Sequence, residues 1–70
     1  MTTPTLRVNG ETRALCVHTI EELLAEMSVN PAARGVAVAV NGAVAPRSTW
    51  MSARLRSDDV VEIVKPLAGG

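Results

Sequence analysis

The chain has 70 residues, enough for one domain, and its seven basic and seven acidic side chains cancel. Its single cysteine and single histidine exclude an internal disulfide and a Cys/His structural zinc site. Balanced charge, with Trp50 as the sole aromatic, excludes the basic stripe and stacking platform of a nucleic-acid binder.

The hydrophobic fraction of 47% is almost wholly aliphatic, so packing alone must hold a small core together. Met1-Thr2-Thr3-Pro4 is too polar to begin a signal peptide, and no apolar run approaches a membrane span. With neither signal nor disulfide, the expected location is cytoplasmic.

Thr5-Leu6-Arg7-Val8 alternates and predicts a first strand. Asn9-Gly10 is the strongest two-residue hairpin signal, and Glu11 to Val17 is the expected return strand. Which of its faces turns inward stays open, with Leu15 and Val17 favoured as the core pair. Cys16 lies within that strand and reads as a small structural hydrophobe rather than a reactive thiol. His18 reads as a loop residue.

Thr19-Ile20-Glu21-Glu22 is a capping box, in which the Glu22 carboxylate reaches back to the Thr19 N–H. Ile20, Leu23, Leu24 and Met27 recur at helical spacing and form one apolar stripe. The helix is expected from Ile20 to about Ser28, ended by Asn30-Pro31. Val36 to Val40 is an unbroken apolar run that predicts a central strand buried on both faces. Asn41-Gly42 is a second hairpin turn, and Ala43-Val44-Ala45 the strand that returns from it, stopped by Pro46.

Arg47 to Ser52 reads as irregular or a helical turn, with Trp50 covering the core. Arg54-Leu55-Arg56 is a candidate edge strand, and Arg47, Arg54 and Arg56 read as a solvated face. Ser57-Asp58-Asp59 is a turn. Val60 to Lys65 is rich in β-branched residues and predicts the last strand. Within it Val61 and Ile63 face the helix, while Val60, Glu62 and Val64 lie on the open side. An apolar patch there is a candidate face for docking a partner.

Pro66 has no N–H for a ladder and stops the pairing. Leu67, Ala68, Gly69 and Gly70 follow, slim and almost without side chains. Such a tail is either a frayed end or an arm that threads a narrow channel in another protein. The reactive group it would offer is the α-carboxylate of Gly70, ionised at neutral pH and a poor electrophile until activated, for example as an acyl-adenylate. Leu67 would anchor in a partner's pocket or lie on its own sheet.

The order of elements is hairpin, helix, hairpin and last strand. Its economical packing is an α+β β-grasp, ubiquitin-like architecture, a mixed sheet of four to five strands against one main helix. The final strand can lie parallel to the first, in the middle of the sheet. Residues 1–65 would form the β-grasp domain and residues 66–70 a flexible diglycine tail.

Val38-Ala39-Val40-Asn41-Gly42, then Val44, Pro46, Arg47 and Trp50, then Asp59 to Val64 and terminal Ala68-Gly69-Gly70, together resemble the ThiS family of sulfur carriers in thiamine biosynthesis. The resemblance implies a protein that catalyses nothing itself and binds no cofactor or metal of its own. A ThiF-type adenylating enzyme would use ATP and Mg to adenylate Gly70. Sulfur from a source such as a cysteine desulfurase would convert the adenylate to a thiocarboxylate, and a ThiG-type thiazole synthase would receive the sulfur. The alternatives are a ubiquitin-like protein modifier, a sulfur donor to molybdopterin, cysteine or tRNA thiolation, and a structural module with an incidental diglycine. Members of the family often carry Gly-Asp where this chain has Asp58-Asp59, which bears on the turn before the last strand. MoaD-type carriers usually have a Pro-rich segment before their diglycine, which Val64-Lys65-Pro66-Leu67 fits less well.

Overall fold

A computed structural model of the chain describes residues 3–65. The elements in order are β1 (Thr5–Val8), β2 (Glu11–Ala14), α1 (Ile20–Glu26), β3 (Ala37–Val40), β4 (Ala43–Val44), a 3₁₀ turn (Arg47–Thr49) and β5 (Val60–Val64). The five strands form one mixed sheet in the order β2-β1-β5-β3-β4. β5 is therefore the middle strand, parallel to β1 and antiparallel to β3. This is the β-grasp arrangement that the element order predicts.

Both Asn-Gly pairs form type I′ turns, with φ of 50° and 85° at Asn9 and Gly10 and 52° and 84° at Asn41 and Gly42. The positive φ at both central positions matches the twist of the flanking strands, which is why this dipeptide signals a hairpin.

The helix buries Ile20, Leu23 and Leu24 against the inward residues Leu6, Val8, Val38, Val61 and Ile63 of the sheet. Val29, Val36, Trp50 and Leu55, all from connecting segments, complete the core, and Leu15, Val17 and Met27 pack half-buried around it. All the fully buried residues are apolar. Burying this much aliphatic surface supplies the main favourable term for a domain without staples.

The helix N-terminus is fully partnered. The Glu22 N–H donates to the Thr19 hydroxyl, the Ile20 N–H to the Ala53 carbonyl and the Glu21 N–H to the Trp50 carbonyl. The Glu22 carboxylate accepts from the His18 N–H at 2.9 Å, one residue further out than the expected Thr19. This shift accompanies an isolated bridge that pairs Thr19 with Arg54. That bridge is all that forms of the expected edge strand at Arg54 to Arg56, because the flanking chain turns away at once into the bend before β5.

The helix ends at Glu26, two residues earlier than expected. Ser28 takes φ 62°, its N–H donates to the Ala25 carbonyl, and the Val29 N–H donates to the Leu24 carbonyl. This is a Schellman motif with Ser28 in the place usually held by glycine, and it folds Val29 back into the core.

Two strand expectations are corrected. β2 stops at Ala14, so Cys16 lies beyond it and is exposed rather than packed as a small hydrophobe. β3 is covered on one face only. Val36 and Val38 point inward, Ala37 is exposed and Ala39 half-exposed. The run is a Val/Ala alternation whose small members face outward, so apolar content alone overstated its burial.

Candidate docking face and the strand that bears the tail

Leu67, Ala68, Gly69 and Gly70, the residues expected to form the reactive tail, lie outside the described residues. The structure does describe the strand that leads to them.

β5 is held from both flanks by its own ladder and by the two turn asparagines. On the β1 side, the Arg7 N–H donates to the Asp59 carbonyl and the Asn9 N–H to the Val61 carbonyl. There β1 ends, and the Asn9 side chain takes over from it. Its Oδ1 accepts from the Ile63 N–H at 2.8 Å and its Nδ2 donates to the Ile63 carbonyl at 3.2 Å. An amide side chain thus stands in for one more peptide of the parallel strand, close to where the chain leaves the sheet.

On the β3 side, Asn41 Oδ1 accepts from the Val60 N–H at 2.9 Å, and Asn41 Nδ2 donates to Asp59 Oδ1 at 3.0 Å. The other oxygen of Asp59 accepts from the Arg56 N–H at 2.8 Å. Asp59 therefore ties the turn before β5 to the turn after β3. Asp58 adopts φ 71°, the left-handed region that glycine enters without strain.

The burial pattern of β5 alternates, with Val61 and Ile63 buried and Val60, Glu62 and Val64 exposed on the open face. Val64 is 61% exposed and Val44, on β4, 78%. Register places Ala37 beside Val64, and Ala39 between Glu62 and Val44. The small side chains of Ala37 and Ala39 leave a shallow trough of about 190 Å³ between Val44 on one side and Glu62 and Val64 on the other. Exposed valines grouped on one open face are what a partner-binding surface requires.

Arg47 is not a free solvated charge. Its guanidinium donates to the Pro31 carbonyl, to the Ala33 carbonyl at 2.9 Å and to the Val36 carbonyl at 3.3 Å. Its Cζ sits 4.8 Å from the centroid of the Trp50 ring. Trp50 itself is buried, with Nε1–H donating to the Ala45 carbonyl at 2.8 Å. This clamp fixes the 31–36 loop, and hence the entry into β3. His18 is exposed and pairs only loosely with Glu22, at 3.6 Å.

Among the described residues no group of three or more His, Cys, Asp or Glu is placed to hold a metal ion. No described helix is long and apolar enough to cross a membrane. The described surface offers a braced strand and an apolar face beside it.

The ThiS family model matches residues 6–70, almost the whole chain. Among the solved structures similar to it are two of a thiamine biosynthesis protein from Geobacter metallireducens. A crystal structure, described as ThiS, is 29% identical with a TM-score of 0.75, over 94% of this chain and 99% of that one. A solution NMR structure is 28% identical with a TM-score of 0.74, over 94% of this chain and 87% of that one. A comparison with curated protein sequences finds no match. The fold and the family match together define a small β-grasp carrier. The chain belongs to the ThiS family, and its role is that of a sulfur carrier.

The sequence signals found β5 and its outward face. They missed the two asparagine side chains as braces and Arg47 as a clamp. The double occurrence of Asn-Gly was the available signal for the first, read only as turn chemistry. For the second there was none, since the carbonyls that Arg47 holds lie 11 to 16 residues away.

Proposed function

We propose that the chain carries sulfur as a thiocarboxylate on Gly70 and delivers it for thiazole formation in thiamine biosynthesis. The observation that carries this reading is the family match running through residue 70. The likeness to two structures described as thiamine biosynthesis proteins supports it.

In the proposed cycle a ThiF-type adenylating enzyme binds ATP and Mg. The Gly70 carboxylate attacks the α-phosphorus, pyrophosphate leaves, and the acyl carbon becomes an electrophile. The outer sulfur of a persulfide, supplied by a source such as a cysteine desulfurase, attacks that carbon and AMP leaves. A thiol then cleaves the resulting acyl disulfide, itself becoming disulfide-bonded to the persulfide's inner sulfur, and the thiocarboxylate stays on Gly70. A ThiG-type thiazole synthase accepts the sulfur. The carrier's own part is mechanical. Residues 67–70, slim at Ala68, Gly69 and Gly70, thread into the partner's active site. The face of Val60, Glu62 and Val64 docks on the partner, and the braced β5 sets where the tail begins.

The test is intact mass after incubation with the adenylating enzyme, ATP and a sulfur source. Exchange of one oxygen for sulfur on the full chain, and none on a chain lacking Gly70, is the expected result. A ladder of conjugates to other proteins would instead identify a protein modifier. A thiazole requirement in a deletion strain is expected as well, whereas a defect confined to molybdopterin, cysteine or tRNA thiolation would move the carrier to another route.

A further inference from the structure

We propose that the trough on the open sheet face takes up a lysine or arginine side chain of the activating enzyme, with Glu62 as the residue that selects it. This rests on the docking role given to that face above and names what the partner must bring to it.

Glu62 is the acid of this patch. It lies between Val60 and Val64 along β5, with Ala39 across the ladder. Among the described residues its carboxylate makes no hydrogen bond and no ion pair. In the free protein water satisfies it. A partner that covers Val64 and Val44 must also strip water from Glu62, and an unpaired carboxylate under an apolar lid is strongly unfavourable. The partner therefore has to present a cation at that point.

The shape of the site agrees with its charge. The trough is apolar along Ala37, Ala39, Val44 and Val64, and its β5 flank carries Glu62 beside Val64. Long basic side chains lay their methylenes along apolar surface and keep the charged head at its edge. A volume of about 190 Å³ has room for one such side chain. The arrangement adds discrimination, because a partner with an acid or a bulky apolar residue there is rejected by repulsion or by desolvation.

The experiment measures the Kd of the intact chain for the ThiF-type adenylating enzyme of the same organism, by calorimetry at low and high salt. Glu62→Gln is expected to weaken binding about three- to tenfold and to flatten the salt dependence, and Glu62→Lys to weaken it more than about tenfold. Ala39→Leu, which fills the trough and keeps the carboxylate, is expected to weaken binding as well. Glu62→Gln is an isosteric change at an exposed site, so the test stands even where Ala39→Leu fails to fold. Parent-like binding by Glu62→Lys alongside weakened binding by Val64→Asp would overturn the selector role and leave the docking face standing. Parent-like binding by both would remove the docking face and this proposal with it. Self-association of the carrier alone, abolished by Glu62→Lys, would make a second copy the occupant and overturn the proposal.

Discussion

Asn9 combines two roles in one residue. Its backbone sits in the left-handed region at φ 50°, and its side chain exchanges two hydrogen bonds with Ile63. The two contributions can be separated. Asn9→Gly keeps the turn and loses the bonds, so a loss of about 1–2 kcal/mol is expected by urea denaturation. Asn9→Ala adds left-handed strain and is expected to cost about 1–2 kcal/mol more. Equal losses would mean that the turn conformation contributes nothing. Asp58 is the opposite case, an exposed residue at φ 71° whose side chain bonds to none of the described residues. Asp58→Gly is expected to leave stability unchanged or raise it by up to about 1 kcal/mol, the relief of strain outweighing the added freedom of the unfolded chain. The Asn-Gly turns were legible from sequence because glycine marks positive φ. Ser28 and Asp58 were not, because serine and aspartate carry no such mark and only the surrounding structure sets their backbone.

At the scale of elements, periodicity carried far. The stripe of Ile20, Leu23 and Leu24 and the alternation of β5 both became buried faces. The ends of elements were less legible. β2 ends before Leu15, and α1 before Met27, where Ser28 in the left-handed region closes the helix on its own carbonyls. Arg47 shows the same limit, since one side chain binds carbonyls of a distant loop. Arg47→Lys keeps the charge but loses the planar fork and its stacking, so it is expected to lose about 1 kcal/mol, and Arg47→Ala about 1–2 kcal/mol. Trp50, the one aromatic, reports on this site directly. Its emission followed through a urea titration measures both losses, and an Arg47→Lys curve matching the parent would deny the clamp its role. The candidate docking face was half legible. The outward valines of β5 followed from alternation, whereas the trough needed the register that brings Ala37, Ala39 and Val44 beside them.

At the scale of the molecule, the β-grasp topology followed from element order alone, because few arrangements of two hairpins, a helix and a last strand bury every apolar face. The chemistry assigned to Gly70 belongs to a different level. Ala68, Gly69 and Gly70 carry no packing information, and their meaning came from resemblance over the rest of the chain. The body and the tail are expected to separate in experiment. Removing residues 67–70 is expected to leave the unfolding free energy from urea titration within about 0.5 kcal/mol of the parent, as for a surface change away from the core. A larger loss would show that the tail belongs to the fold.

The middle position of β5 has a consequence for biogenesis. A chain that lacks β5 holds β1 and β3 with their inner edges unpaired and nothing between them. Exposed edges of this kind invite association with other chains. Val60 to Val64 close that gap, and the same five residues lead to the segment proposed above to be activated. On the proposed function, a clipped product would thus lose its shape together with its cargo site, and an activating enzyme would meet that segment only on chains already able to fold.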